Sequence, residues 1–215
     1  MAIISLLAQE LSTSENMLRS ELRKASSHVK KYKVRKRSTS EQRKITIPPR
    51  LHKLVQYYVI HTHLREIPID DAATAFRPGA SILDNAKRHQ HGSYFVKMDV
   101  RNFFPSISAE DFFNSLRSRD KEAAEEVLQD EGDEDLIDAL FFQRHCAIGY
   151  PVSPYVANIV MREIDEVIQD KLAERAEDFG EPTYTRYADD ITISVDRKGF
   201  KRDIEGLVKE AFENS

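Results

Sequence analysis

The feature that most constrains this chain is a pair of adjacent carboxylates, Asp189-Asp190, set inside a run of strand-forming residues. The run reads Thr183-Tyr184-Thr185-Arg186-Tyr187-Ala188-Asp189-Asp190-Ile191-Thr192-Ile193-Ser194-Val195, bounded by Pro182 and Asp196. β-Branched and aromatic residues favour strands, and Asp is depleted in them. The pattern predicts strand, tight turn, strand, with the acids at or near the turn. A second strand is expected over residues 94–104, where Asp99 is the one acid inside an apolar run. An unpaired buried carboxylate is costly. Asp99 therefore needs an offset, and a divalent cation shared with Asp189 is the simplest one.

With 215 residues, the chain forms one large domain or two small ones and can bury a real core. No run approaches the ~20 apolar residues of a membrane span. The N-terminus has neither a basic n-region nor a small-residue cleavage site, so no signal peptide is expected. A single cysteine, Cys146, excludes an internal disulfide. Without a Cys/His cluster there is no reason to expect structural zinc, and a reducing cytoplasm is the expected setting.

The net charge of −4 hides an asymmetry. Residues 19–65 hold 14 Lys and Arg against two Glu, and residues 108–138 hold 12 acids against three bases. The basic block reads as a polyanion-binding surface or as a solvated charged face. The acidic block reads as solvated helix and loop.

In chain order, two short amphipathic helices are expected over 3–11 and 15–29, with Ser12-Thr13-Ser14 supplying the cap between them. Lys30 to Arg37 and Arg43 to Pro48 flank Ser38-Thr39-Ser40 and alternate basic with apolar residues, a basic β-hairpin. Residues 51–64 read as a helix with Leu51, Leu54, Val55, Tyr58 and Val59 on one face. His52, His61 and His63 have no acid or Cys at ligand spacing, which argues against metal. Residues 72–79 are loop, closed by an Arg77-Pro78-Gly79 turn. A helix over 81–91 is capped by Ser81 and stopped by Gly92, and another begins near Ser108 with Asp111 as its capping-box acid. A further helix covers 133–142. Gly149 feeds a loop in which Ser153 and Pro154 open a long helix carrying Val156, Ile159, Val160, Ile164, Val167, Ile168 and Leu172. The order predicts an α+β domain with a small central sheet and a basic preceding module.

These residues carry a resemblance. Phe95-Val96-Lys97-Met98-Asp99-Val100-Arg101-Asn102-Phe103-Phe104-Pro105-Ser106-Ile107 resembles the first palm motif of reverse transcriptases. Tyr187-Ala188-Asp189-Asp190 resembles their Tyr-x-Asp-Asp box, and Gly149-x-Pro151-x-Ser153-Pro154 the loop-helix motif between them. Asn85-Ala86-Lys87-Arg88-His89 is similar to the Asn-Ala-x-x-His element of bacterial retron reverse transcriptases. Arg43-x-Ile45-x-x-Pro48 followed by Leu54-x-Gln56 fits the fingers region. The resemblance implies a right-hand polymerase: fingers with the basic hairpin over 1–92, then a palm over 93–215 with a small antiparallel sheet on helices and a fingers-like insertion near 108–147. Two departures stand out. The loop reads Ala147-Ile148-Gly149 where the family has Pro-Gln-Gly, so the glutamine is replaced. No lysine-bearing palm motif, primer grip or Val-Thr-Gly thumb element follows, which reads as fingers plus palm with the thumb missing.

The resemblance further implies an RNA-directed DNA polymerase that copies a cognate structured non-coding RNA with deoxynucleotides, giving an RNA–DNA hybrid, in antiviral defence and with a possible effector protein. Asp99, Asp189 and Asp190 would hold two Mg²⁺ ions, or Mn²⁺, with the Val100 carbonyl as a further ligand. Phe104 would exclude a 2′-hydroxyl; one of Phe103 and Phe104 belongs to the core. Arg43 and Lys44 would neutralise the triphosphate, Lys44 reading equally as a duplex-backbone contact. Gly149 and Pro151 would line the nucleotide site, and Lys53, Ser153 and Tyr187 would contact primer and template. Tyr187 reads as well as a buried hairpin aromatic. Asn85 and His89, four apart on one helical face, would contact the RNA or simply face solvent. Other bacterial reverse transcriptases such as the group II intron type, a template-independent nucleotidyl cyclase, and a non-catalytic RNA-binding subunit remain alternatives, the last with strong salt dependence.

Overall fold

The computed structural model describes residues 2–35 and 42–213. The Ser38-Thr39-Ser40 turn of the expected basic hairpin lies outside the described residues. The chain forms two compact units, Met1–Pro68 with Phe104–Ile159, and Ile69–Phe103 with Val160–Ser215. This partition differs from the expected boundary at 92/93. Residues 94–99 pair with a strand some ninety positions later, which draws 69–103 into the second unit.

Most elements begin where sequence chemistry starts them. Helix α1 covers Ile3–Glu10 and α2 Glu15–Ser26, the latter capped by Ser14, whose side chain accepts from the Met17 N–H. Strands β1 (Lys30–Arg35) and β2 (Gln42–Ile47) form the basic hairpin. Helix α3 is Arg50–Thr62, followed by a 3-10 turn over Leu64–Glu66. Helix α4 (Ile82–Arg88) opens on a capping box between Ser81 and Asp84, and stops short of His89. Strand β3 is Tyr94–Asp99. Next come the short helix α5 (Phe103–Ser106), α6 (Ala109–Arg119) with its Ser108–Asp111 capping box, α7 (Glu125–Gln129) and α8 (Glu134–Leu140), which Asp133 caps. The long α9 (Ser153–Glu174) and short α10 (Ala176–Phe179) precede β4 (Thr183–Tyr187), β5 (Asp190–Val195) and α11 (Lys201–Glu213).

The first unit is held by a core of Ile3, Ile4, Leu7, Leu22, Val55, Val59, Phe112, Leu116, Leu136, Ile137 and Leu140 from its helices, with Phe141 just beyond the end of α8. On α3 the buried face is His52, Val55, Gln56, Val59 and Ile60. Leu54, expected inside, is exposed, because Gln56 takes the interior instead: its amide donates to the Ala139 carbonyl at 2.8 Å. The charge blocks need a similar correction. Arg19 makes ion pairs with Asp133 and Asp135, and Arg23 with Asp135, while Asp120 and Asp130 are buried. Part of the basic block is therefore spent on the acidic block inside this unit. Cys146 is buried as well, and burial pushes its thiol up to about 12.

The second unit is built on a three-stranded antiparallel sheet in the order β3-β5-β4. Side chains alternate across a sheet, so the register separates two faces. Val96, Met98, Ile191, Ile193, Val195 and Tyr184 join the core with Ile168, Leu172, Ile204, Leu207 and Val208 from α9 and α11. Phe95, Lys97, Asp99, Asp190, Thr192, Ser194, Thr185 and Tyr187 belong to the other face. Among the described residues no helix is long and apolar enough to cross a membrane.

Candidate active site

The hairpin β4–β5 turns through two residues, Ala188 and Asp189. Ala188 takes the left-handed conformation, φ 58, that such tight turns demand and that alanine resists. In the register Asp99 lies opposite Asp190, and Asp190 opposite Tyr187, so the three form one row across the sheet on the face away from the core. The Val100 N–H donates to the Asp189 carbonyl at 2.9 Å, which ties the end of β3 to the turn. The structure thus brings Asp99, Val100, Asp189, Asp190 and Tyr187 together.

Asp99 is not inside a strand as expected. The strand ends on it and its side chain is exposed, so burial imposes no penalty there. Repulsion supplies the strain instead. The Asp190 carboxyl is raised above its usual value by partial burial, then by the negative charges of Asp189 and Asp99, with Lys97 opposing. A cation among these groups would relieve that repulsion. An all-oxygen donor set suits a hard ion such as Mg²⁺ or Mn²⁺. Among the described residues no three acidic, His or Cys side chains already converge on one point. An ion that keeps water and substrate phosphates in its shell does not need them to.

Two of the expected contact residues are interior groups. His89 is 4% exposed, its Nδ1 2.8 Å from Ser194 Oγ and its Nε2 2.7 Å from Thr185 Oγ1. It braces the end of α4 against the sheet face that carries the acids and has no free edge for RNA. Gly92 allows this approach, since a Cβ there would stand 2.5 Å from Ser194 Cβ. Asn85 is half-buried, with its Oδ1 unpartnered. Ser153 is 1% exposed and its Oγ accepts from the Ala147 N–H at 3.0 Å, which shapes the loop rather than offering a template contact.

In the first unit, Gly149 has φ 106 and lies against the edge of β2, where the Thr46 N–H donates to the Ile148 carbonyl at 2.8 Å. Alternation along β2 puts Arg43 on the face with Ile45 and Ile47, and Lys44 on the opposite face beside Lys33, its register partner. Arg43 and Lys44 thus cannot both address one phosphate group from a single side. Lys53 and Pro151 are half-buried. Phe103 is the core phenylalanine, and Phe104 is partly exposed.

Sequence reasoning missed a buried pair under the turn. Arg186, on the core face, is fully buried and makes a bidentate ion pair with the equally buried Asp165 of α9. Burial works against the Arg186 charge, but Asp165 more than offsets it and the pKa is raised. The signal was available. Alternation from Tyr184 places Arg186 inward, and Asp165 interrupts the apolar stripe of α9.

Asp99 and Asp190 lie side by side across the sheet, next to an acidic hairpin turn, and together offer carboxylate oxygen to a hard cation. The sequence agrees: residues 34–213 match the family described as reverse transcriptase (RNA-dependent DNA polymerase), and the chain belongs to that family. It is 37% identical over 190 residues to the retron Ec73 reverse transcriptase of Escherichia coli, covering 84% of this chain and 57% of that protein. It is 34% identical to the retron Ec83 reverse transcriptase of E. coli, over 85% and 56% of the two chains. With the retron Mx162 reverse transcriptase of Myxococcus xanthus it shares 32% identity, over 78% and 36%. The chain therefore spans little more than half the length of the first two relatives.

Proposed function

We propose that this chain carries the catalytic part of a retron-type, RNA-directed DNA polymerase, the fingers and palm of a right-hand fold, which copies a structured RNA into DNA. The observation that carries the reading is the row of Asp99, Asp190 and Tyr187 with Asp189 at the adjoining turn. Two bound Mg²⁺ or Mn²⁺ ions would supply activation of the primer hydroxyl and neutralisation of the triphosphate. Asp99 and Asp189 would hold them, with Asp190 and the Val100 carbonyl in support. Tyr187, next to Asp190 in the row, would pack beside the primer end.

Arg43 is the better candidate for the triphosphate and Lys44 for duplex backbone, given their opposite faces. Phe104 would discriminate against a 2′-hydroxyl. Gly149, Pro151 and Ser153 would shape the nucleotide loop, and Lys53 and Asn85 would contact nucleic acid. A cytoplasmic setting and a role in antiviral defence follow from the resemblance to retrons. Primer extension on an RNA template tests the reading. Deoxynucleotide incorporation that needs both template and divalent metal, and that Asp189→Asn abolishes, is expected. Incorporation without template would point to a nucleotidyl cyclase-like activity. RNA binding with no turnover would leave only a binding subunit.

A further inference from the structure

The Asp165–Arg186 pair is more than a satisfied pair of core charges. Arg186 donates from Nε to Asp165 Oδ1 at 2.8 Å and from Nη2 to Oδ2 at 2.7 Å. Tyr184 donates its hydroxyl to the same Oδ1 at 2.6 Å. This occupies one edge of the guanidinium and locks its plane. The remaining Nη1 points to the Ala188 carbonyl at 3.4 Å, the first residue of the acidic turn. On the other side of that turn, the Val100 N–H holds the Asp189 carbonyl. The backbone of Arg186 is itself fixed: its N–H donates to the Ala72 carbonyl and its carbonyl accepts from the Thr74 N–H, each at 2.8 Å. The turn so held contains Ala188 at a positive φ that its own sequence does not favour.

Resting on the metal-site reading above, we propose that Asp165 and Arg186 are positioning residues of the acidic turn. Their pair fixes the Ala188 carbonyl, and through it the direction in which Asp189 and Asp190 present oxygen to the metal ions. The hydrogen-bond chain Tyr184–Asp165–Arg186–Ala188 is anchored on α9 by Asp165 and reaches the turn at the Ala188 carbonyl. Groups that orient metal ligands from behind typically change metal affinity or activity by about 10–100-fold when removed.

The test uses the protein with Arg186→Lys, which keeps the charge but loses the planar fork, and Tyr184→Phe, which keeps the packing and removes one bond to Asp165. Mn²⁺ binding is measured by calorimetry without nucleic acid, alongside kcat and nucleotide KM in primer extension. Arg186→Lys is expected to weaken Mn²⁺ binding about tenfold and to lower kcat similarly, with nucleotide KM changed less than about twofold. Tyr184→Phe is expected to move both in the same direction by a smaller factor. An Arg186→Lys protein that is less stable but binds Mn²⁺ and turns over like the parent overturns the proposal. If Arg186→Lys does not fold, unchanged Mn²⁺ affinity in Tyr184→Phe overturns it. Asp189→Asn is the control. Should it retain full Mn²⁺ binding, the metal-site reading itself is refuted, an outcome distinct from failure of the positioning role alone.

Discussion

Gly149 and Gly199 offer a matched pair for separating two costs of a side chain. Their φ values are 106 and 104, both unfavourable for an L-residue. A Cβ on Gly199 would meet nothing within 4 Å. A Cβ on Gly149 would stand 2.5 Å from the Thr46 carbonyl oxygen and 3.2 Å from Ile45 Cγ2. That oxygen is backbone and cannot rotate away. Ala at 199 therefore costs only the conformational strain, about 1–2 kcal/mol. Ala at 149 costs the same strain plus about 1–3 kcal/mol of overpacking. It also loses the bond from the Thr46 N–H to the Ile148 carbonyl, about 1 kcal/mol. A loss of roughly 3–6 kcal/mol is expected for Gly149→Ala. At about 2–4 °C per kcal/mol for a chain of this size, Tm falls by roughly 10 °C. Urea denaturation followed by circular dichroism gives both losses. Equal destabilisation by the two variants, within about 0.5 kcal/mol, would refute the claim that close approach to the β2 edge requires glycine at 149.

Other outcomes follow from the same structure. Asp165→Asn or Arg186→Met alone should cost about 3–5 kcal/mol in chemical denaturation, because each leaves a buried charge unpaired, and the double variant Asp165→Leu/Arg186→Met should cost less than the sum. His52, His63 and His89 each have a pKa lowered chiefly by burial. Their contribution to stability is thus complete above the unfolded value near 6.5 and is lost as pH falls through the lower folded values. Denaturation midpoints should drop from pH 7 to pH 5, and His89→Gln should flatten that slope. Lys33 and Lys44 face each other across the basic hairpin, a repulsive pair that a polyanion would relieve. Lys44→Gln should leave folding intact and reduce the salt slope of RNA binding by about one; an unchanged slope would take Lys44 out of the interface.

The elements legible in the sequence were those announced by local chemistry. Ser14, Ser81 and Ser108 each cap the helix expected after them, while Asp133, expected as the first residue of its helix, is its cap. The acidic hairpin was legible because two carboxylates between β-branched runs have few other solutions. Burial was less legible, because it depends on partners far along the chain. Nothing local tells that His89 finds two hydroxyls on strands about a hundred residues later, or that Arg19 and Arg23 meet Asp133 and Asp135. The exposure of Asp99 was misread because the strand ends there, and strand ends are set by pairing rather than by composition. Arg43 and Lys44, adjacent and equally basic, separate only once the register assigns them to faces.

The inward arginine also guards the alignment of the hairpin while the protein folds. A slip of one residue between β4 and its neighbour would turn Arg186 toward the opposite side of the sheet and abandon the Asp165 carboxylate in an apolar interior. A slip of two would keep the side but carry the guanidinium roughly 7 Å along the strand, out of reach. Purely aliphatic inward positions would tolerate either error at modest cost. With a charge that has a single acceptable partner, misaligned hairpins are penalised by several kcal/mol, and the acidic pair reaches its post in one arrangement only.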